Sequence, residues 1–240
     1  MKSSVQKLRS RGMAADDDIA RAAKLSSETL SGMLDFPDAA VRTAAVKVLS
    51  GRHGGDDSIL RLFIARLEKE RNLYTKIALC NALAHGGAAA ARLIVPYAGK
   101  IGANQYKTLP TRVSHKKCYP LPRDIIARTL GVMSPVIAPV LSKALLNKNC
   151  AISEIVDAFG YLVSKKPMLG TAQNAAVIET VLREHRRNDL VVWKCAVALS
   201  AFSCEHGGVL LENLLNSNYP PIIKAEAQRS LSMHAATKKT

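Results

Sequence analysis

The residues best suited to ligand chemistry in this chain are gathered between Thr108 and Asp124, in the segment TLPTRVSHKKCYPLPRD. It combines three prolines with Lys, Arg and His and contains no acid before Asp124. Lys and Arg neutralise phosphates and carboxylates, and Tyr stacks or forms hydrogen bonds, so the mixture suits capture of an anionic partner. The predicted site comprises Lys76, Lys107, Arg112, His115, Lys116, Lys117, Tyr119 and Arg123. The alternative is a solvated loop whose tyrosines pack on neighbouring helices.

Other reactive residue types occur without the partners that their chemistry requires. His115 and Cys118 form an HxxC pair. Cys204 and His206 form a CxH pair. A zinc site normally takes four ligands, and neither pair has a second half at suitable spacing. The chain also lacks a P-loop, a GxGxxG motif, an HExxH motif and paired carboxylates in its acid-poor centre. We therefore predict no metal and no cofactor, and a non-enzyme rather than an enzyme.

Positive charge extends well beyond this segment. The chain carries 34 Lys and Arg against 19 Asp and Glu, a formal net charge of +15. From Arg71 to Ser153 the only acid is Asp124, whereas the same window holds twelve Lys and Arg. A field of one sign attracts anions, so the window predicts an acidic protein or peptide partner, or a nucleic acid. Drift in surface composition is the alternative interpretation.

A repeated helical pattern supplies the frame for these residues. In FPDAAVRTAAVKVLSG (36–51), Val41, Ala45 and Leu49 lie at i, i+4 and i+8 and form one stripe of a helix. Asp38 suits the start of that helix, and Gly51 suits its end. Apolar residues make up 48% of the chain and aromatic residues only 5%, which favours packed helices over a β-sandwich or barrel.

The same pattern recurs along the chain. Ile223, Ala227 and Leu231 reproduce it in residues 218–232, and PLPRDIIARTLG (120–131) is a further copy in which we assign Arg123 to the helix. Other apolar stretches alternate with these copies, at 58–69, 91–101, 134–146, 175–185 and 207–215. A Pro/Asp turn followed by Val-Arg, Ala and Leu-Gly resembles the HEAT repeat of the armadillo-like superfamily. The resemblance implies an all-α, right-handed α-solenoid of about six helix pairs, because one pair cannot bury its own apolar stripes.

The repeat spacing locates the basic segment. Equivalent positions fall at 42, 76, 123, 152, 192 and 224, with steps of 34, 47, 29, 40 and 32 residues. The long step implies an insertion at 102–122 within one repeat domain that spans residues 1–240. Pro110, Pro120 and Pro122 disfavour helix, so the insertion is predicted to be an extended strap.

The function expected from these features is a non-catalytic HEAT-type binding or scaffold module that captures an acidic partner on a basic concave surface. The alternatives are a nucleic-acid-binding protein, or a repair enzyme like the HEAT-like alkylpurine DNA glycosylases. The single Trp and the single acid of the basic region depart from the glycosylase pattern. A structural adaptor using apolar helix faces also stays open. Five cysteines without a CxxC motif suggest a reducing cytoplasm, and we expect a monomer that does not contact membranes.

Overall fold

The computed structural model describes residues 4–116 and 118–237, and in these residues all regular secondary structure is helical. The prediction of an all-α protein is therefore confirmed. The α-helices are α1 (Val5–Ser10), α2 (Asp16–Ala22), α3 (Ser27–Gly32), α4 (Ala39–His53), α5 (Asp57–Lys69), α6 (Leu73–His85), α7 (Gly87–Ile94), α8 (Ile125–Gly131), α9 (Ala138–Leu145), α10 (Ile152–Lys165), α11 (Ala172–Glu184), α12 (Asp189–Leu199), α13 (Glu205–Leu215) and α14 (Pro221–Thr237). Short 3₁₀ helices lie at Met33–Asp35, Val95–Tyr97, Pro135–Ile137 and Pro167–Leu169.

Local sequence explains where many of these helices begin. The Asp38 carboxylate accepts a hydrogen bond from Ala40 N at the start of α4, and Asp124 accepts one from Ala127 N at the start of α8. Each carboxylate satisfies a backbone N–H that has no partner inside its own helix. Two predicted boundaries are wrong. Arg123 precedes the α8 cap, and α4 continues past Gly51 to His53 because nothing crowds that glycine and no left-handed turn interrupts the chain there.

The chain divides into two compact units, residues 1–94 and 95–240. In the first unit α4 packs against α2, α3 and α6, while α5 packs against α6 and α7. Leucine and phenylalanine side chains fill its core: Leu30, Leu49, Leu60, Phe63, Leu79 and Leu83.

The second unit is built from two rows of helices. In one row α8, α10, α12 and α14 pack in succession. In the other, α11 packs against both α9 and α13. Phe159 of α10 and Phe202, which follows α12, meet edge to face with ring centroids 5.7 Å apart in the core.

Helices α10 and α12 are buried on almost every side, which is unusual for helices that carry charged residues. Their neighbours in the two rows cover most of this surface, and residues 102–122, hereafter the strap, cover part of the rest. The described residues of the strap contain no helix and no strand. Gly160 of α10 permits the close packing, because a methyl group there would lie 2.7 Å from Ala198 Cα and closer still to the Tyr119 hydroxyl.

Candidate functional site

The strap is tied down at its base by Asp124. This carboxylate accepts hydrogen bonds from Gln105 Nε2 at 2.8 Å and from Gly99 N at 3.1 Å, in addition to its bond from Ala127 N. It is fully buried. The only acid of the basic window therefore closes the ends of the strap onto each other and onto α8, which is a structural role.

Three contacts hold the strap across α10, α12 and α14. The Tyr106 ring meets Trp193 of α12 edge to face at 5.2 Å between centroids, and Tyr119 stacks on Tyr161 of α10 at 6.0 Å. Arg229 of α14 donates a hydrogen bond to the Lys116 carbonyl at 3.3 Å. The tyrosines thus anchor the strap to the helices, as in the alternative interpretation of this segment.

Beneath the strap lies a buried ionic cluster. The Lys194 ammonium on α12 lies 2.8 Å from Glu154 Oε1 and 2.8 Å from Asp157 Oδ2, both on α10. Glu154 and Asp157 are one helical turn apart, so both carboxylates reach the same ammonium group. Lys194 is completely buried. One cation therefore serves two carboxylates in a region of low dielectric constant, where charge imbalance is costly.

The pKa values of the cluster reflect this imbalance. Burial raises the pKa of Asp157 to about 6, even though Lys194 opposes the shift, and the Glu154 carboxylate adds to it. Burial alone would lower the pKa of Lys194, but the Asp157 and Glu154 carboxylates outweigh burial and raise it. Lys194 therefore stays charged at neutral pH, and Asp157 is the member that takes up a proton as pH falls.

A second buried pair adjoins the cluster on α14. Glu226 accepts a hydrogen bond from Arg229 Nε at 2.7 Å, and burial raises the Glu226 pKa although Arg229 partly offsets the effect. The carboxylates of Asp157 and Glu226 both affect the pKa of Tyr119. Its pKa is raised well above the usual value by burial and by the negative charges of Asp157 and Glu226. The phenol is therefore neutral and is a hydrogen-bond donor.

Several polar atoms in this region are buried without a hydrogen-bond partner among the described residues. They are Trp193 Nε1, Tyr119 Oη, Glu154 Oε2 and Arg229 NH2, the last of which still forms an ion pair with Glu226. Buried polar groups are satisfied in the great majority of cases, so a concentration of exceptions at one place is informative. These atoms therefore have hydrogen-bonding capacity that the described residues do not use.

A cavity of about 240 Å³ separates part of the strap from the helices. Its helix side presents Asp157, Trp193 and Glu226, and its strap side presents Tyr106, Arg112 and Arg123. The Arg123 guanidinium carbon lies 4.4 Å from the centroid of the Tyr106 ring. The cavity therefore brings carboxylates, aromatic rings and arginines together in one small volume.

A wider groove of about 770 Å³ lies at the other edge of the strap. Arg112 and His115 supply its basic groups, and Pro221, Ile222 and Ala225 of α14 supply apolar surface. The groove thus combines apolar side chains with an arginine and a histidine and contains no carboxylate among the described residues, whereas the smaller cavity contains both arginines and carboxylates.

The predicted site residues are distributed unevenly. Lys76 is half-buried on α6 of the first unit, whereas Lys107, Arg112, His115 and Lys116 are exposed on the strap. Lys117 lies outside the described residues. Tyr119 directs its hydroxyl inward, and Arg123 is exposed just before α8 rather than within it.

Acids and bases are segregated in this part of the chain. Between Val95 and Ile178 the three acids, Asp124, Glu154 and Asp157, are all buried. The exposed bases of the same range are Lys100, Lys107, Arg112, Lys116, Arg123, Arg128, Lys143, Lys148 and Lys165. None of these nine belongs to an ion pair within the described residues. The charge that this range presents to solvent is therefore positive throughout.

Sequence reasoning missed the buried cluster. Its signal is present in CAISEIVDAFG, where Glu154 and Asp157 interrupt an apolar helix at i and i+3, and in VVWKCAVALSAF, where Lys194 does the same. Charged residues inside apolar helices predict a buried pair. Glu154 and Lys194 are 40 positions apart, so the pairing is not visible until the helices are placed side by side.

Comparisons with known proteins leave the assignment to the geometry. No protein-family model matches this chain, and the comparison with curated proteins finds no match either. Within residues 4–116 and 118–237, no group of three or more His, Cys, Asp and Glu is arranged to hold a metal ion. No single helix in the same residues has the length and hydropathy to cross a membrane. Ile125–Gly131 and Pro135–Leu145 reach that threshold only as a pair bent by 118°.

Proposed function

We propose that this protein is a HEAT-type helical-repeat binding module whose strap captures an acidic peptide or protein segment. The observation that carries the proposal is the burial of every acid between Val95 and Ile178 beside exposed, unpaired bases. Unneutralised cations raise the local concentration of anionic partners and speed their encounter. The HEAT assignment is supported by the two helix rows of the second unit and by the recurring Val-Arg, Ala, Leu pattern.

The groove beside the strap favours a peptide as the partner. Arg112 and His115 would meet acidic side chains, while Pro221, Ile222 and Ala225 would meet apolar ones. An extended acidic segment that also carries apolar residues matches both properties, since peptide recognition combines a few anchoring pockets with charge complementarity.

A nucleic acid is the second candidate, because the same exposed bases would contact phosphates. The inward packing of Tyr106 and Tyr119 removes the strap tyrosines as stacking platforms for bases. A nucleic acid would therefore bind through its backbone, without sequence preference. The non-enzymatic role, the monomeric state and the cytoplasmic location stay predictions.

The proposal is tested by titrating the protein with a fluorescent peptide of alternating Glu and Leu, and separately with duplex DNA and single-stranded RNA. Lys107→Glu/Lys116→Glu reverses two strap charges outside the smaller cavity. We expect it to weaken peptide binding at least about tenfold. The matched control Lys47→Glu/Lys69→Glu reverses two exposed charges of the first unit and should leave affinity within about twofold. Equal losses in both variants would refute the strap as the site, and tighter binding of nucleic acid than of peptide would favour the second candidate.

A further inference from the structure

The smaller cavity lies against a buried cluster that has an unbalanced charge. Glu154, Asp157 and Glu226 supply three carboxylates, whereas Lys194 and Arg229 supply two cations. One negative charge is therefore left without a partner when all three carboxylates are ionised. Asp157 and Glu226 line the cavity, so a positively charged group placed there would complete the neutralisation.

The opposite side of the cavity carries the opposite charge. Arg112 and Arg123 line it from the strap and from the residue just beyond, and neither forms an ion pair among the described residues. Arg123 is occupied by its stacking on Tyr106, whereas no ring or hydrogen-bond partner is seen for the Arg112 guanidinium in the described part of the chain. The two sides face each other with opposite charges across the cavity.

An unpartnered donor points to the same place. Trp193 lines the cavity, is 7% exposed, and its buried indole Nε1–H has no acceptor within the described residues. A buried N–H without an acceptor is costly, so the wall of the cavity beside Trp193 is not optimised for packing alone. The cavity thus places two carboxylates opposite the guanidinium of Arg112.

We propose that this cavity binds a small zwitterion of the size of an amino acid, with its ammonium group towards Asp157 and its carboxylate towards Arg112. The size agrees, because 240 Å³ is below the ~300–1,000 Å³ typical of drug-sized ligands. A purely anionic ligand would add to the excess charge beside Asp157, and a purely cationic one would lie against Arg112. A zwitterion satisfies both sides at once.

The test uses isothermal calorimetry and thermal unfolding of the full chain with each of the common α-amino acids, at concentrations up to about 10 mM. At least one should bind and raise Tm. Its N-acetyl derivative keeps only the negative charge, and its amide keeps only the positive charge. We expect each derivative to bind at least about tenfold more weakly than the parent, because one side of the cavity loses its partner.

Two variants locate the site, and one of them leaves the buried ion pairs intact. Arg112→Gln should raise Kd about tenfold, while the matched control Arg183→Gln, at an exposed position of α11, should not change it. Asp157→Asn should abolish the preference for the parent over its N-acetyl derivative. The proposal fails if no amino acid binds, if the N-acetyl derivative binds as tightly as the parent, or if Arg112→Gln leaves Kd unchanged. Arg112 lines both this cavity and the groove beside the strap, so Lys107→Glu/Lys116→Glu is the variant that separates the two sites. It should weaken peptide capture and leave amino-acid binding intact.

Discussion

The two units of this molecule use their carboxylates in different ways. In the first unit Glu70 is buried and forms a bidentate ion pair with Arg42. Arg42 Nε donates to Glu70 Oε2 at 2.9 Å, and Arg42 NH2 donates to Glu70 Oε1 at 2.8 Å. The other terminal nitrogen of Arg42, NH1, donates hydrogen bonds to the Phe36 and Pro37 carbonyls. Burial opposes ionisation of Glu70, but its hydrogen bonds and the nearby arginines outweigh burial and lower its pKa. This cluster is complete.

The corresponding cluster of the second unit is incomplete. Lys194 is shared between two carboxylates, and Glu154 Oε2 has no hydrogen-bond partner among the described residues. Here burial outweighs the cation, so the pKa of Asp157 rises rather than falls. The difference shows that a buried pair locks the packing when all its atoms are satisfied, and leaves capacity for a ligand when they are not.

The contrast continues at the surface. Arg9 of the first unit pairs with Asp18 and Asp38, and Arg66 pairs with Asp35 and Glu70. Between Val95 and Ile178 the acids are inside and the bases outside, without such pairs among the described residues. Several arginines of the first unit thus form internal ion pairs, whereas the exposed bases between Val95 and Ile178 form none among the described residues.

The largest expected effect comes from Lys194→Met. This change removes the cation that pairs with both Glu154 and Asp157 and should lower the free energy of unfolding by about 3–5 kcal/mol at pH 7. Urea denaturation of wild type and variant measures it. The loss should shrink at pH 5, where Asp157, with a pKa of about 6, takes up a proton. A loss under about 1 kcal/mol would show that the cluster is solvated rather than buried.

A smaller and pH-dependent effect is expected from Asp157→Asn. The folded-state pKa of Asp157 is about 6 against a usual value of 3.8, so in this interval the folded protein binds a proton that the unfolded chain does not. The contribution of Asp157 is therefore fully present below pH 3.8 and is lost as pH rises through about 6. The stability of wild type minus that of Asp157→Asn should fall across this interval. A flat difference would mean that the Asp157 pKa is not raised.

The smallest changes in stability are expected from removing single buried hydroxyl groups, one with hydrogen-bond partners and one without. Thr75 of the first unit donates a hydrogen bond to the Ala39 carbonyl and accepts one from Thr43, so Thr75→Val should cost about 1–2 kcal/mol. The buried Tyr119 hydroxyl has no such partner among the described residues, so Tyr119→Phe should cost less than about 0.5 kcal/mol. Thermal unfolding of both variants checks the pair. Equal costs would show that the Tyr119 hydroxyl has a partner in solution.

Much of the fold could be predicted from the sequence, because it depends on local patterns. The stripe of Val41, Ala45 and Leu49 lies on α4, and the prolines around the strap coincide with its lack of helix. The assignment of Arg123 to α8 is wrong because repeat spacing locates a helix start only to within one or two residues. The Asp124 side chain caps α8, which leaves Arg123 outside the helix.

The candidate site was less accessible to sequence reasoning. The exposed bases of the strap are visible in the sequence as a composition bias. The buried cluster, in contrast, forms only when α10 packs against α12, which brings Glu154 and Lys194 together from positions 40 residues apart. Tyr119 illustrates the limit, because whether a tyrosine faces solvent or a helix is decided by packing that no local pattern encodes.

If exposed bases of the strap capture an acidic partner, the affinity for that partner must depend on salt concentration through those bases. The Kd of the Glu/Leu peptide should be measured between about 50 and 200 mM NaCl for wild type, for Lys107→Glu/Lys116→Glu and for Lys47→Glu/Lys69→Glu. We predict that wild type and the first-unit control weaken steeply and in parallel as salt rises, whereas the strap variant starts weaker and shows a distinctly shallower slope. Identical slopes for all three proteins would refute partner capture by the strap, because its charges would then take no part in binding.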